Sequence, residues 1–205
     1  MNDSDERPEI IVGRMTVIVR AAALVLAVIV LTSCGLFAEP GHAGHEHTAS
    51  TSHNTADVAF AQKMIPHHQQ AVEMSAMVPG HSTNHGLVVM AKHIQLDQQA
   101  QIDILTELLE QWGVPVGRQG HEHGDMAVDG MVDQATINQL PSLSGEAFDT
   151  LWIRSMVTHH RGAVSMASEE IAAGENPDAV RMAKIIVTTQ QREIAYLNHL
   201  LAVAE

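Results

Sequence analysis

Apolar residues recur at helical spacing in four stretches after residue 55. In the first stretch the steps of three and four residues keep one stripe on a single helix face. That stripe consists of Phe60, Met64, His67, Ala71, Met74 and Val78. A later stripe has the same steps and consists of Trp152, Met156, His159, Ala163 and Met166. The pattern predicts four amphipathic helices.

Turn and cap residues divide these stretches into two pairs of helices. Asn84 and Asn176 are typical N-cap residues, and Pro177 suits the first position of a helix. Pro79-Gly80 predicts a break between the first two helices, and Gly113 predicts the end of the second. Two helical hairpins follow.

The two hairpins are copies of one unit. Met64-x-x-His67-His68-x-x-Ala71 returns 92 residues later as Met156-x-x-His159-His160-x-x-Ala163. We place the copies at residues 56–113 and 148–205, joined by a linker at 114–147 that contains a possible short helix at Asp133 to Leu140. Because one hairpin cannot bury its apolar stripe alone, we predict an all-α fold, a four-helix bundle spanning 56–205.

The first 33 residues resemble a lipoprotein export signal. Arg14 and Arg20 precede an apolar run, residues 21–31, which is shorter than a transmembrane helix. The run ends in Leu-Thr-Ser-Cys34-Gly, which resembles a lipobox, so Cys34 is the predicted site of lipidation. Residues 34–55 then form a His-rich tether. An ordinary secretory signal with an incidental cysteine, or an uncleaved anchor, are the alternatives.

Composition restricts the partners. The net charge of −13 repels nucleic acid and attracts cations. Cys34 is the only cysteine, so no internal disulfide can form, whereas the chain has 11 methionines and 14 histidines. Outside the cytoplasm, where free thiolates are oxidised, methionine and histidine remain available as metal ligands.

Each histidine pair lies beside a methionine. Residues three and four apart on a helix are neighbours, so each of these methionines can touch both histidines that follow it. Thioether sulfur suits Cu(I), and imidazole accepts copper or zinc. We therefore predict copper, with Cu(I) favoured and Cu(II) or Ag(I) as alternatives. The predicted ligands are Met64, His67, His68, Met156, His159 and His160.

Weaker candidates surround these ligands. Met74 lies seven residues from His67, about 10 Å along the helix, so it belongs to a second layer. Methionines at helical spacing are also ordinary core residues, and histidine-rich runs are also ordinary spacers. The secondary candidates are Met74 and Met166, the helix face with Met90, His93 and Asp97, and the linker residues His121, His123 and Met126.

The sequence resembles a known family. The residues that carry the resemblance are MIPHHQQA at 64–71, QQREI at 190–194 and GEAFD at 145–149. They closely resemble the ferritin-like domain of unknown function 305 family, over residues 57 to about 203. The resemblance implies an exported, duplicated, ferritin-like helical protein, and because some relatives are periplasmic copper-binding proteins it implies a copper-related role. Gln101 stands where the second copy has Glu193, so the halves need not be equivalent.

Three functions compete. The first is a copper-binding protein of the cell envelope that sequesters or delivers the ion and is not an enzyme. Its expected partners are the membrane, through a lipid on Cys34, and a copper donor or acceptor protein. The second is a ferritin-like oxidase, although di-iron bundles use Glu-x-x-His and this chain has Met-x-x-His instead. The third is a lipoprotein interaction module with structural or pH-responsive histidines. Stoichiometry, one shared site or two, and oligomeric state stay open.

Overall fold

The computed structural model describes residues 50–116 and 128–204, and every regular element in this part is helical. The long helices are α1 (Thr55–His81), α2 (His85–Gln111), α4 (Gly145–Ala173) and α5 (Pro177–Ala204). Between the hairpins lie the short α3 (Gln134–Gln139), whose N-cap is Asp133, and a 3-10 turn at Leu140–Ser142. The predicted all-helical fold of paired hairpins is confirmed. None of the helices in the described ranges is long and apolar enough to span a bilayer.

Several predicted features lie outside the described residues. They are the export signal, the tether up to residue 49, the lipidation site Cys34, and the linker candidates His121, His123 and Met126. These remain predictions from the sequence.

The cap residues act as the sequence indicates, with one exception. Asn84 and Asn176 each accept hydrogen bonds from backbone N–H groups in the first turn of α2 and α5. Gly113 has φ +68° and ends α2 in the left-handed region that favours glycine. Pro79-Gly80 does not separate α1 from α2, because α1 continues through both residues to His81. In the last turn a proline removes only one backbone hydrogen bond, and the helix tolerates that loss.

Helices α1 and α4 pack against each other in antiparallel orientation. The Trp152 indole N–H donates to the carbonyl of Met74 over 2.9 Å. The Asn54 side chain, at the start of α1, donates to the carbonyl of Ala173, at the end of α4, over 2.8 Å. This packing brings the middle of α1 against the middle of α4, where both histidine pairs lie.

Two apolar clusters fill the bundle. The cluster at the start of α1 includes Phe60 and Met64 with Met166 and Met182. The cluster at the other end includes Met74, Phe148, Trp152 and Met156. Each of the four long helices contributes to both clusters, so the segment between them is a separate layer halfway along the bundle.

Candidate metal centre

A layer of buried polar side chains separates the two apolar clusters. All four histidines of the duplicated motif have no solvent exposure, and the four side chains from α2 and α5 are at most 7% exposed. We name this set the polar layer. It consists of His67 and His68 from α1, Gln98 and Gln101 from α2, His159 and His160 from α4, and Gln190 and Glu193 from α5.

The two histidine pairs meet in this layer. The rings of His67 and His159 lie against each other, with a centroid distance of 3.7 Å and a tilt of 30° between the ring planes. Within each helix the ring of the second histidine lies further off, 6.1 Å between the His67 and His68 centroids and 6.3 Å between those of His159 and His160. The pairs of the two copies therefore form one four-imidazole cluster across the α1–α4 contact.

Hydrogen bonds fix the orientation of three of these rings. The Nε2 atom of His159 donates to the backbone carbonyl of His67 over 2.9 Å. The Nε2 atom of His68 donates to Oε1 of Gln101, and that of His160 donates to Oε2 of Glu193, both over 2.7 Å. Because a neutral imidazole carries one proton, the Nδ1 atom of each ring then holds a free lone pair.

Those Nδ1 atoms are buried and have no hydrogen-bond partner within the described structure. Both ring nitrogens of His67 also lack a direct partner there. Buried polar atoms are normally hydrogen-bonded, so unpartnered nitrogens grouped in one layer need an explanation. A ring whose far nitrogen is held by a carboxylate or carbonyl, with the other nitrogen free, has the arrangement of a metal-ligating histidine.

Burial lowers the pKa of three of the four imidazoles, those of His67, His68 and His159, and so keeps them neutral at pH 7. It lowers the pKa of His67 to about 4, helped by the electrostatic interaction with His160 and opposed by the backbone of Asp129. It lowers the pKa of His68 to about 3, helped by the nearby charge of His67. The pKa of His159 also falls well below its usual value, mainly through burial. A neutral imidazole is the form that binds a metal ion, so no proton has to leave these three rings first.

Methionine sulfurs lie on both sides of the polar layer. Met64 and Met156 are fully buried, one helical turn before the histidines of their own copies. Met166 packs in the same apolar cluster as Met64, and Met74 packs in the same cluster as Met156. The antiparallel helices thus pair the first methionine of one copy with the second methionine of the other, which the spacing along one helix could not indicate.

The predicted set on α2 stays apart from the polar layer. The side chain of His93 is 65% exposed, and its Nε2 lies 3.2 Å from the carboxylate of Asp97, which is 39% exposed. Met90, half-buried, packs at the edge of the second apolar cluster. These residues form a surface pair and a peripheral core contact, and the structure does not bring them to the buried histidines.

The donor types in and around the polar layer include imidazole and thioether. Across residues 50–116 and 128–204, no three His, Cys, Asp or Glu side chains converge as ligands of one ion. Thioether and imidazole together select soft ions such as Cu(I).

A segment of the linker covers one face of the layer. We name residues 128–132 the strap. The Gln70 side chain both donates to and accepts from the backbone of Val132, over 2.9 and 2.8 Å. A Cβ atom built on Gly162 would lie 1.9 Å from the carbonyl oxygen of Asp129, so the strap touches α4 only because Gly162 has no side chain.

Sequence reasoning did not place the glutamine and glutamate members of the polar layer in the site. A signal exists in the chain, since Gln98 and Gln190 occupy matching positions of the two copies within otherwise apolar stripes. Neither amide has a partner within the described structure. Polar residues that recur at matching core positions of two copies therefore indicate a buried polar layer.

Solved structures with this fold include one protein, CopM, with bound copper. A protein from Streptomyces coelicolor, assigned to the secreted proteins, is 30% identical with a TM-score of 0.66 over 72% of this chain and 92% of its own. A fragment from Deinococcus radiodurans is 31% identical with a TM-score of 0.67 over 73% and 97%. CopM in its Cu(II)-bound form is 27% identical with a TM-score of 0.64 over 73% and 97%, and CopM was also solved with Cu(I) and with silver.

No curated protein shows a significant sequence match to the chain. The family model for the domain of unknown function DUF305 matches residues 57–201, which contain both hairpins and the whole polar layer. The first two solved structures carry the same family description. The chain therefore belongs to the DUF305 family.

Proposed function

We propose that this protein binds copper in the cell envelope and sequesters or hands on the ion without catalysing a reaction. Cu(I) is the favoured ion, with Cu(II) and Ag(I) as alternatives. The observation that carries the proposal is the set of three imidazoles whose Nε2 atoms are tied to hydrogen-bond acceptors and whose buried Nδ1 atoms are free. Export and a lipid anchor at Cys34 belong to the same proposal, since the signal pattern and lipobox support them.

The ligand types favour copper over the iron of an oxidase. Di-iron bundles present several inward glutamates together with Glu-x-x-His motifs. The described polar layer contains one carboxylate, Glu193, and buried thioethers on either side of it. The Cu(I), Cu(II) and Ag forms of CopM add weight, because a relative of similar fold takes up these ions.

The test is an anaerobic titration of the purified protein with Cu(I) in competition with a chromophoric chelator. The parent should bind Cu(I), and a variant with all four buried histidines changed to alanine should lose that binding. If the parent binds no tighter than the variant, the copper proposal is wrong and the histidines are structural. Iron uptake accompanied by oxygen consumption would support the oxidase instead. The four changes are His67→Ala, His68→Ala, His159→Ala and His160→Ala.

A milder pair of changes keeps the test valid if the quadruple variant does not fold. Met64→Leu with Met156→Leu removes two thioethers while nearly conserving core volume, which proteins usually tolerate. We expect Cu(I) affinity to fall about tenfold or more, equivalent to ~1.4 kcal/mol. Met77→Leu is the matched control, because Met77 packs at the edge of the second apolar cluster and lies outside every predicted ligand set. It should leave the affinity unchanged.

A further inference from the structure

The two copies differ at one position of the polar layer. In the first copy the Nε2–H of His68 donates to the carboxamide of Gln101, and in the second the Nε2–H of His160 donates to the carboxylate of Glu193. Both contacts measure 2.7 Å, and both acceptors are 7% exposed. The geometry is the same in the two halves, while the charge differs by one unit.

In the part of the chain that the structure describes, His160 is the basic partner of the Glu193 carboxylate. Within the described residues its one ion-pair contact is with His160, and no lysine or arginine reaches it. A buried carboxylate is costly unless a positive charge compensates it. In this layer the positive charge that compensates the Glu193 carboxylate can come from a proton on His160 or from a cation bound to His160.

We infer that Glu193 is a positioning residue that makes the second half of the polar layer the stronger cation site and favours Cu(II) there more than Gln101 does in the first half. This inference rests on the proposed copper function. The carboxylate holds the Nε2 proton of His160, leaves Nδ1 free, and supplies the countercharge for a bound cation. A carboxylate behind a ligating histidine raises its basicity as a ligand, and loss of such a partner typically costs about 10–100-fold in metal affinity.

The effect is larger for the ion of higher charge. Cu(II) carries one more positive charge than Cu(I), so the negative charge of Glu193 stabilises it more in the low-dielectric interior. Gln101 orients His68 in the same way but contributes no net charge. The half with Glu193 therefore has the lower reduction potential for bound copper, and the half with Gln101 favours Cu(I).

The experiment exchanges the two acceptors between the copies. Glu193→Gln gives both halves the carboxamide, Gln101→Glu gives both the carboxylate, and the double variant moves the single carboxylate to the other half. Each change is nearly isosteric and uses a residue that the other copy already has at that position, so the bundle should fold. Cu(I) and Cu(II) affinities and the copper reduction potential are measured on the whole purified protein, with folding checked by circular dichroism.

For Glu193→Gln we expect Cu(II) affinity to fall at least tenfold more than Cu(I) affinity. For a one-electron couple this difference raises the potential by about 59 mV. Gln101→Glu should shift the potential in the opposite direction. The potential of the double variant should return toward the parent value, because one carboxylate again faces one histidine. If Glu193 had a purely structural role, the double variant would bind copper no better than Glu193→Gln.

The possible failures can be told apart. A parent protein that binds copper while Glu193→Gln keeps its affinities and potential overturns this inference and leaves the copper function standing. A double variant whose potential stays at the Glu193→Gln value also overturns it, because the charge then does not set the potential. A parent that binds copper no better than the quadruple histidine variant overturns both proposals.

Discussion

Between neutral and alkaline pH we expect the parent protein to lose stability, and replacing Glu170 by glutamine should abolish that loss. Glu170, at the end of α4, is 2% exposed, and Asp57, in the first turn of α1, is fully buried beside it. Asp57 accepts backbone N–H groups from Asn54 over 2.7 Å and from Asn176 over 3.0 Å. The pair thus joins the start of α1 to the turn between α4 and α5.

The two carboxyl groups share one proton. Burial raises the pKa of Glu170 to about 8, and both the hydrogen bond to Asp57 and its negative charge act in the same direction. The pKa of Asp57 is lowered instead: burial opposes this, but the hydrogen bonds from Asn54, Glu170, Asn176 and Glu175 outweigh it. At pH 7 Glu170 is therefore the protonated member of the pair and Asp57 is the ionised one.

The sign of the pH dependence follows from proton binding. The pKa of Glu170 is higher in the folded state than its ordinary value of 4.5, so between the two values the folded state binds a proton that the unfolded chain lacks. Stability from this group is complete below pH 4.5 and is lost as the pH rises through 8. Between pH 6.5 and 9 the loss amounts to about 2 kcal/mol, or roughly 4–8 °C in Tm for a domain of this size.

The assay is chemical denaturation, or thermal melting, of the metal-free protein at pH 6.5 and pH 9. Glu170→Gln keeps a donor toward Asp57 and does not titrate, so its stability should change about 2 kcal/mol less than that of the parent over this interval. Glu169→Gln is the matched control, because Glu169 is the exposed neighbour and the substitution is chemically the same. It should retain the parent's pH dependence. A Glu170→Gln protein that loses as much stability as the parent would refute the shared-proton account.

Three further predictions concern the strap, the bundle contact and the buried histidines. Gly162→Ala should lower the free energy of unfolding by about 1–3 kcal/mol in denaturation experiments, because its Cβ would overlap the backbone of Asp129. Gly80→Ala, with nothing within 4 Å of the new Cβ, is the control and should not lower it. Trp152→Phe should cost about 1–2 kcal/mol by losing the donor to the Met74 carbonyl, and equal stability would contradict the importance of that bond. In metal-free Glu170→Gln protein the free energy of unfolding should fall as the pH drops from 6.5 toward 4. The cause is that buried His67 and His68, with pKa values lowered to about 4 and 3, take up protons more readily in the unfolded chain than in the folded protein. A flat pH profile would contradict their burial as neutral rings.

The spacing of residues along the chain was sufficient to predict the helices and their pairing. Steps of three and four residues from Phe60 to Val78 correspond to α1, and Asn84 and Asn176 cap the helices expected after them. The helix break predicted at Pro79-Gly80 is wrong, because a proline in the last turn can be accommodated when the following residues stay helical. Local rules work where the interactions that decide the structure lie within one helical turn.

The assembly of the site could be predicted only in part. The repeat singled out both histidine pairs, but their meeting at 3.7 Å depends on the antiparallel packing of α1 against α4, which no spacing within one helix specifies. For the same reason the spacing placed Met74 in a second layer apart from His67, but it did not indicate that Met74 packs in the cluster of Met156 on the other helix. The spacing of residues shows which face of each helix is buried. It does not show which face of another helix packs against it, and the contacts between the two copies depend on that packing.

The division of the bundle into apolar and polar layers separates folding from ion binding. The two apolar clusters lie on either side of the polar layer and include residues of all four long helices, so hydrophobic burial can hold the bundle together at both ends. The polar layer stabilises the metal-free bundle little, because each buried, unpartnered nitrogen or amide costs about 1–3 kcal/mol. An ion that engages the free Nδ1 atoms would recover part of that cost, and it would stabilise the folded state by mass action as well. A bundle built in this way can tolerate an energetically unfavourable centre without metal, and under the proposed function the same centre would give the ion a preformed set of oriented ligands.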